Sequence, residues 1–300
     1  MAPCQKVVLA GATGSLGQPM LEALLDAKYD VTVFTRPTSS HTFPSSVKVA
    51  QVDYNDVDGL TAALKGHDAL ISTITTGAVD QQKQLIDAAI AAGIKRIIPS
   101  EFGCDLSNPK ARALPVYGQK VEAEEYIEAK CSKGTQTTYT FIFNNAFLDW
   151  GIDAKLLVDL KGKKIDLFDG GETPYTTTPL SFVAKGTVAC LAKFDETANR
   201  AVKLHGAVLT QKKLLEVAQK VVGEDGWQVE EVRTEDVEKE SWASLKSKPE
   251  DVMGWVMGFL KRAIFAEGYG GDFSGSNDNE LLGLKQLSDE EIEEVVRAKA

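Results

Sequence analysis

Apolar residues in the first half of the chain fall into short continuous runs, separated by stretches where they recur every three or four positions. Lys6-Val7-Val8-Leu9-Ala10, Asp30-Val31-Thr32-Val33-Phe34-Thr35, residues 47–53, residues 68–74, residues 95–100 and residues 138–143 have the length and composition of buried strands. Between them the helical period appears at Met20, Leu21, Leu24 and Leu25, across 56–64 up to Gly66, at Gln82, Leu85, Ile86, Ala89 and Ile90 up to Gly93, and from Pro115 to about residue 130. Strands buried along their whole length and alternating with helices predict a parallel sheet covered on both faces. After Phe147 the rhythm changes. Residues 164–168 and 175–178, on either side of Asp169-Gly170-Gly171-Glu172, predict a strand pair outside the main sheet, and a helix at 182–191 with a strand at 201–204 predicts a return to it. Helices at 211–222 and 234–246 and an apolar, aromatic-rich segment at 252–260 complete the chain. The expected division is a larger domain over 1–154, to which about 179–222 returns, and a smaller lobe formed mainly by 155–300.

The join between the first strand and the first helix is Gly11-Ala12-Thr13-Gly14-Ser15-Leu16-Gly17. Glycines at this spacing let the backbone turn tightly and approach a pyrophosphate, which then faces unpaired N–H groups at the helix N-terminus. The same spacing can also serve as a bare turn; its place after a strand and before a helix favours a dinucleotide. The predicted fold is therefore α/β, a doubly wound parallel sheet of the Rossmann type with a smaller, partly interleaved α/β lobe that binds substrate.

Composition narrows the setting. The chain has 300 residues, with 33 Lys and Arg against 43 Asp and Glu, a net charge of −10 without a basic cluster. Such a surface is a poor match for nucleic acid or an anionic membrane. No run is long enough to span a bilayer, and the first residues lack the apolar stretch of a signal peptide, so a cytoplasmic protein is expected. Cys4, Cys104, Cys131 and Cys190 are scattered, and His41, His67 and His205 form no ligand pattern, so neither a disulfide framework nor a metal site is predicted. Cys104 reads as a reactive thiol or, more simply, as a small buried group.

Ligands of a doubly wound sheet bind beyond the carboxyl ends of its strands. At the end of the second strand, where an acidic residue would bind a ribose 2′-hydroxyl, stands Arg36, followed by Thr38, Ser39 and Ser40. A guanidinium there suits a 2′-phosphate, which selects NADP(H) over NAD(H). Thr73 to Thr76, Ser100-Glu101-Phe102-Gly103 and Asn144-Asn145-Ala146-Phe147 end the fourth, fifth and sixth strands and are expected to surround the nicotinamide. Glu101 can be catalytic there or can hold loop amides. Tyr126-Ile127-Glu128-Ala129-Lys130 matches a dehydrogenase Tyr-x-x-x-Lys pair, but at 1.5 Å per residue Tyr126 lies roughly 15 Å along a helix that begins at the cofactor edge. Lys120 sits in the first turns of that helix. A lysine under an apolar lobe can have its pKa lowered by desolvation, which suits it to general acid–base work; holding the cofactor ribose is the alternative.

These segments together resemble a known family. Gly11 to Gly17, Phe34-Thr35-Arg36, Gln82-x-x-Leu85-Ile86-Asp87-Ala88-Ala89 with Gly93-Ile94-Lys95-Arg96, and above all Pro99-Ser100-Glu101-Phe102-Gly103 resemble the isoflavone reductase-like group of NmrA-like atypical short-chain dehydrogenases. The resemblance covers most of residues 5–147. It implies an NADPH-dependent reductase of phenolic or other aromatic metabolites, with a lysine matching Lys120 as general acid or base; separately, a monomer or homodimer is expected. Together with the strand-end reading it assigns Gly11, Thr13, Gly14, Ser15, Leu16, Gly17, Arg36, Thr73, Thr75, Gln82, Ser100, Glu101, Phe102, Lys120 and Asn145 to the cofactor. Phe147, Trp255 and Phe259 are assigned to substrate. The loop after Arg36 lacks the further lysine the resemblance implies, and the lobe bearing Trp227, Trp242 and Trp255 follows no pattern of the plant reductases. Two other functions remain open at this point: a sensor that binds NADP(H) without turnover, and a rearranging enzyme that retains NADP(H).

Overall fold

The computed structural model describes residues 4–75, 79–132 and 134–300, so Thr76, one of the expected strand-end residues, lies outside the described part. The first strands are β1 (Lys6–Ala10), β2 (Asp30–Thr35), β3 (Lys48–Gln51), β4 (Ala69–Ser72), β5 (Arg96–Ile98) and β6 (Thr138–Phe143). The intervening helices are α1 (Gly17–Asp26), α2 (Val57–Leu64), α3 (Val79–Ala92), the short α4 (Pro109–Arg112) and α5 (Gly118–Cys131). Beyond them come β7 (Ala146–Phe147), α6 (Leu148–Asp153), β8 (Lys164–Phe168), β9 (Tyr175–Thr178), α7 (Leu180–Ala192), β10 (Arg200–Lys203) and β11 (Ala207–Leu209). The chain finishes with α8 (Gln211–Val222), β12 (Gln228–Val232), α9 (Thr234–Ser247), α10 (Val252–Phe265), α11 (Asn279–Leu282) and α12 (Asp289–Arg297).

The main sheet is parallel throughout and runs β10-β6-β5-β4-β1-β2-β3, with its order reversing between β1 and β4. Side chains alternate across each strand, so Val7 and Leu9 face one layer while Val8 and Ala10 face the other. The first layer joins Met20, Leu24, Val183 and Val188 of α1 and α7; the second joins Leu60, Leu64, Leu85 and Ile127 of α2, α3 and α5. Both faces are dry, which is why β1 and β4 read as unbroken apolar runs.

The edge strand β10 comes from a segment that has already left the sheet and returned to it. It is fixed to β6 in part through Arg96, whose fully buried guanidinium donates to the hydroxyls of Thr138, Thr140 and Thr197 and to the carbonyl of Phe194, and lies 4.2 Å from the Phe194 ring centre. The ordering of that cation by neutral acceptors ties the far end of the sheet together.

The expected strand pair is corrected by the structure. β8 pairs in parallel with β12, while β9 lies between β11 and β7. The turn at Gly170 and Gly171, both with positive φ, sends the two segments to different partners. β7 begins after only Asn144 and Asn145 beyond β6 and belongs to the β11-β9-β7 sheet, so the lobe attaches at the carboxyl edge of the main sheet. Among the described residues no helix is long and apolar enough to cross a membrane, and no group of three or more His, Cys, Asp or Glu could hold a metal ion.

Candidate active site

Register builds the first part of the site. Ala10 of β1 lies opposite Ser72 of β4, so Gly11 and Thr73 leave the sheet side by side. Gly11 has φ +88°, and a Cβ there would sit 2.7 Å from the Thr73 backbone; a Cβ at Gly17 would sit 2.0 Å from the Gly11 carbonyl oxygen. A Cβ on Gly14 would meet nothing closer than 3.5 Å, which leaves its backbone open to a ligand. Helix α1 begins without a side-chain cap, and among the described residues the amides of Thr13, Ser15 and Leu16 have no hydrogen-bond acceptor. Unpaired donors at the start of a ten-residue helix, behind an accessible glycine backbone, fit a diphosphate.

From this turn a cleft of about 500 Å³ runs toward β2 and is walled by Gly11, Thr13, Gly14, Phe34, Arg36, Thr38, Ser39, Ser40, His41, Tyr54, Thr73, Ile74 and Thr75, among others. Arg36 is exposed, and its guanidinium makes no ion pair among the described residues. It lies close enough to Tyr54 to oppose the rise in that phenol's pKa, which burial nevertheless pushes up to about 12. His41 and Tyr54 escaped the sequence reading, although both follow the ends of β2 and β3, where ligands of such sheets bind.

The second part lies past β4 and β5. Ile74 lines the cleft, and its backbone carbonyl accepts a hydrogen bond from Ser100 Oγ at 2.7 Å. Buried Gln82 holds the same corner by accepting from the Ser100 amide at 2.7 Å. The chain then turns through Phe102, whose φ of +40° is unusual for a residue with a side chain. Lys120, two residues into α5, donates from Nζ to the carbonyl of Glu101. Gly103 lies beside this contact: a Cβ there would come within 3.3 Å of the Lys120 ammonium nitrogen. Tyr117, close to Lys120 in sequence, is buried and donates to Cys104 Sγ at 2.9 Å, so it faces away from an open site.

The Glu101 side chain is buried, and neither of its carboxylate oxygens has a hydrogen-bond partner among the described residues. Burial raises its pKa well above the carboxylate range; the Lys120 ammonium and Arg112 oppose the shift and Glu124 adds to it. Burial also pushes the Cys104 thiol up to about 11, which makes it a small neutral group. Tyr126 and Lys130 both contact Asp87 of α3, at 2.7 Å each, and their pairing belongs to helix packing.

Asn145, with φ +51°, joins sheet and lobe. Its Nδ2 donates to the carbonyls of Thr176 and Gly271 at 2.9 Å, and its Oδ1 accepts from Cys104 Sγ at 3.1 Å. Phe147 is half-buried, edge-on to Trp150. In α10, Trp255 is half-buried, whereas Phe259 is fully buried and held edge-on by both Trp242 and Trp255. That helix packs against the turn 115–117 that leads into α5 and Lys120. A second cleft, about 600 Å³, opens between Asn108, Ile264 and Gly271.

Residues 3–240 match the model of the NmrA-like family. The chain belongs to the NmrA-like family. Among similar proteins, this NmrA-like chain is 32% identical to oxidoreductase aprR of Aspergillus flavus over 96% of its own length and 97% of the relative's. It is 30% identical to oxidoreductase poxI of Penicillium oxalicum, over 96% and 92% of the two chains. The solved complex of leucoanthocyanidin reductase from Vitis vinifera with NADPH superposes with a TM-score of 0.80, at 22% identity, over 98% of this chain and 99% of that one.

Proposed function

We propose that this NmrA-like chain is an NADPH-dependent reductase of a small phenolic or other aromatic metabolite, with Lys120 handling the proton. The observation that carries the reading is the lysine held at the Glu101–Gly103 corner, on the same sheet edge as a glycine turn with free amides. Bound NADPH supplies the hydride. The amides of Thr13, Ser15 and Leu16 and the open backbone of Gly14 bind the diphosphate, while Arg36 takes the 2′-phosphate. Ser100, Gln82 and Ile74 form one hydrogen-bonded unit that fixes the nicotinamide end, and Phe102 and Thr73 shape its walls. Asn145 has its amide committed to the lobe backbone, which makes it a positioning residue. Lys120 gives a proton to the atom of substrate that gains negative charge. Phe147 and Trp255 supply apolar wall, with Phe259 supporting Trp255 from beneath. The oxidoreductase names of the full-length fungal relatives support the reaction class, and the resemblance of the Pro99–Gly103 motif supports the substrate class.

The reading is tested by titrating the protein with NADPH and following its oxidation across a panel of phenolic and heterocyclic compounds. Turnover of a member of the panel is the expected result. Tight NADPH binding without turnover of any panel member would instead favour a sensor. The Arg36 assignment has its own test. Arg36→Asp removes a charge-assisted contact of about 1.5–3 kcal/mol, so NADPH affinity measured by fluorescence titration should fall roughly ten- to a hundredfold while NADH affinity does not fall. Unchanged NADPH affinity would reject it.

A further inference from the structure

A 2′-phosphate brings close to two negative charges at neutral pH, and one guanidinium leaves the second unmatched. The far end of the glycine-turn cleft has few groups that could match it. Among the described residues that wall it, Arg36, Tyr54 and His41 are the only ones with titratable or charged side chains. Tyr54 stays neutral, its hydroxyl pushed up to about 12 by burial. The carboxylates that flank Tyr54 in the chain are engaged elsewhere: Asp53 accepts from the Asn55 amide at 2.9 Å and Asp56 caps α2 by accepting from the Gly59 amide at 3.0 Å. His41 is exposed, follows the hydroxyls of Thr38, Ser39 and Ser40 on one loop, and its ring has no hydrogen-bond partner among the described residues.

We propose that His41 is the second cation of the 2′-phosphate site, and that the preference of this protein for NADP(H) over NAD(H) therefore rises as pH falls from about 8 toward 6.5. The inference rests on the NADP(H) reading given above. Histidine is the ordinary side chain that gains its charge across this window, whereas a phosphate monoester, with a second pKa near 6, keeps its charge over most of it. Binding of the dianion holds the proton on the imidazole, so at pH 7.5 the complex takes up protons from solution. A site relying on Arg36 alone would take up none there, and near pH 6 would release them as the phosphate ionises on binding.

The test is calorimetric titration with NADP+ and with NAD+ at pH 6.5, 7.5 and 8.5, each in two buffers of different ionisation enthalpy, on the wild type, His41→Ala and His41→Lys. The expected result is proton uptake at pH 7.5 for NADP+ only, several-fold tighter NADP+ binding at pH 6.5 than at 8.5, and loss of both in His41→Ala. His41→Lys should bind tightly with little pH dependence over the same range. NADP+ affinity and proton uptake unchanged in His41→Ala would overturn the role of His41 while leaving the NADP(H) assignment standing. The same pH dependence for NAD+ would overturn it too, by placing the ring on a group both cofactors share. Failure of the wild type to prefer NADP+ at any pH would remove the cofactor reading itself.

Discussion

Lys120→Ala should lower turnover of a reducible substrate by about a hundred- to ten-thousandfold, the range in which a positioned proton donor or acceptor contributes, and should leave NADPH affinity within a few-fold of wild type. The structure separates the two effects. The ammonium of Lys120 is held by the Glu101 carbonyl, beside Gly103, whereas the unpaired amides of Thr13, Ser15 and Leu16 follow β1 and Arg36 follows β2, on the other side of the β1–β4 switch point. Stopped-flow measurement of NADPH oxidation, paired with an equilibrium titration of the cofactor, distinguishes the roles. A large drop in affinity with the hydride step unchanged would reduce Lys120 to a ribose contact.

The other large effect concerns stability, and it comes from Glu101. Its folded-state pKa is raised by burial above the unfolded value of about 4.3. Below that pH the carboxyl is protonated in both states and costs nothing. As pH rises through it, the unfolded chain ionises and the folded chain does not, so the unfolded state binds fewer protons and folding stability falls. The loss approaches about 1.4 kcal/mol per pH unit and continues until the folded-state pKa is reached. Glu101→Gln is neutral in both states and keeps the shape. The variant should therefore match wild type in urea unfolding near pH 4 and become progressively more stable than wild type as pH rises above about 5, until the folded-state carboxyl itself ionises. A difference that stays constant with pH would show that the Glu101 carboxyl ionises in the folded protein as readily as in the unfolded one.

The main sheet was legible because its strands are covered on both faces, which forces unbroken apolar runs such as Val7 to Ala10. The glycine turn was legible for a related reason: Gly11 and Gly17 leave no space for a Cβ, so those two positions of the motif call for glycine. The lobe offered no comparable constraint. Residues 164–168 find their partner at 228–232, some sixty positions away, and nothing local in a five-residue strand names a partner at that distance. In α10 the segment Trp255-Val256-Met257-Gly258-Phe259 is apolar on most sides, so periodicity could not tell that Phe259 turns inward against Trp242 while Trp255 stays half-exposed. Arg96 was hidden differently. Its charge marks a surface in the sequence, yet it is fully buried because four neutral acceptors, brought together only by the tertiary fold, receive its protons.

The path of the chain through β7, the lobe strands and back to β10 bears on how such proteins can be diversified. A single cut after Phe147, with a foreign carboxyl-terminal half attached, would remove β10 and take from Arg96 the hydroxyl of Thr197 and the carbonyl of Phe194. The lobe in this architecture is therefore not a detachable cassette. Exchange between relatives has to proceed loop by loop within the lobe, or replace two separated segments while keeping the returning strand with its own sheet.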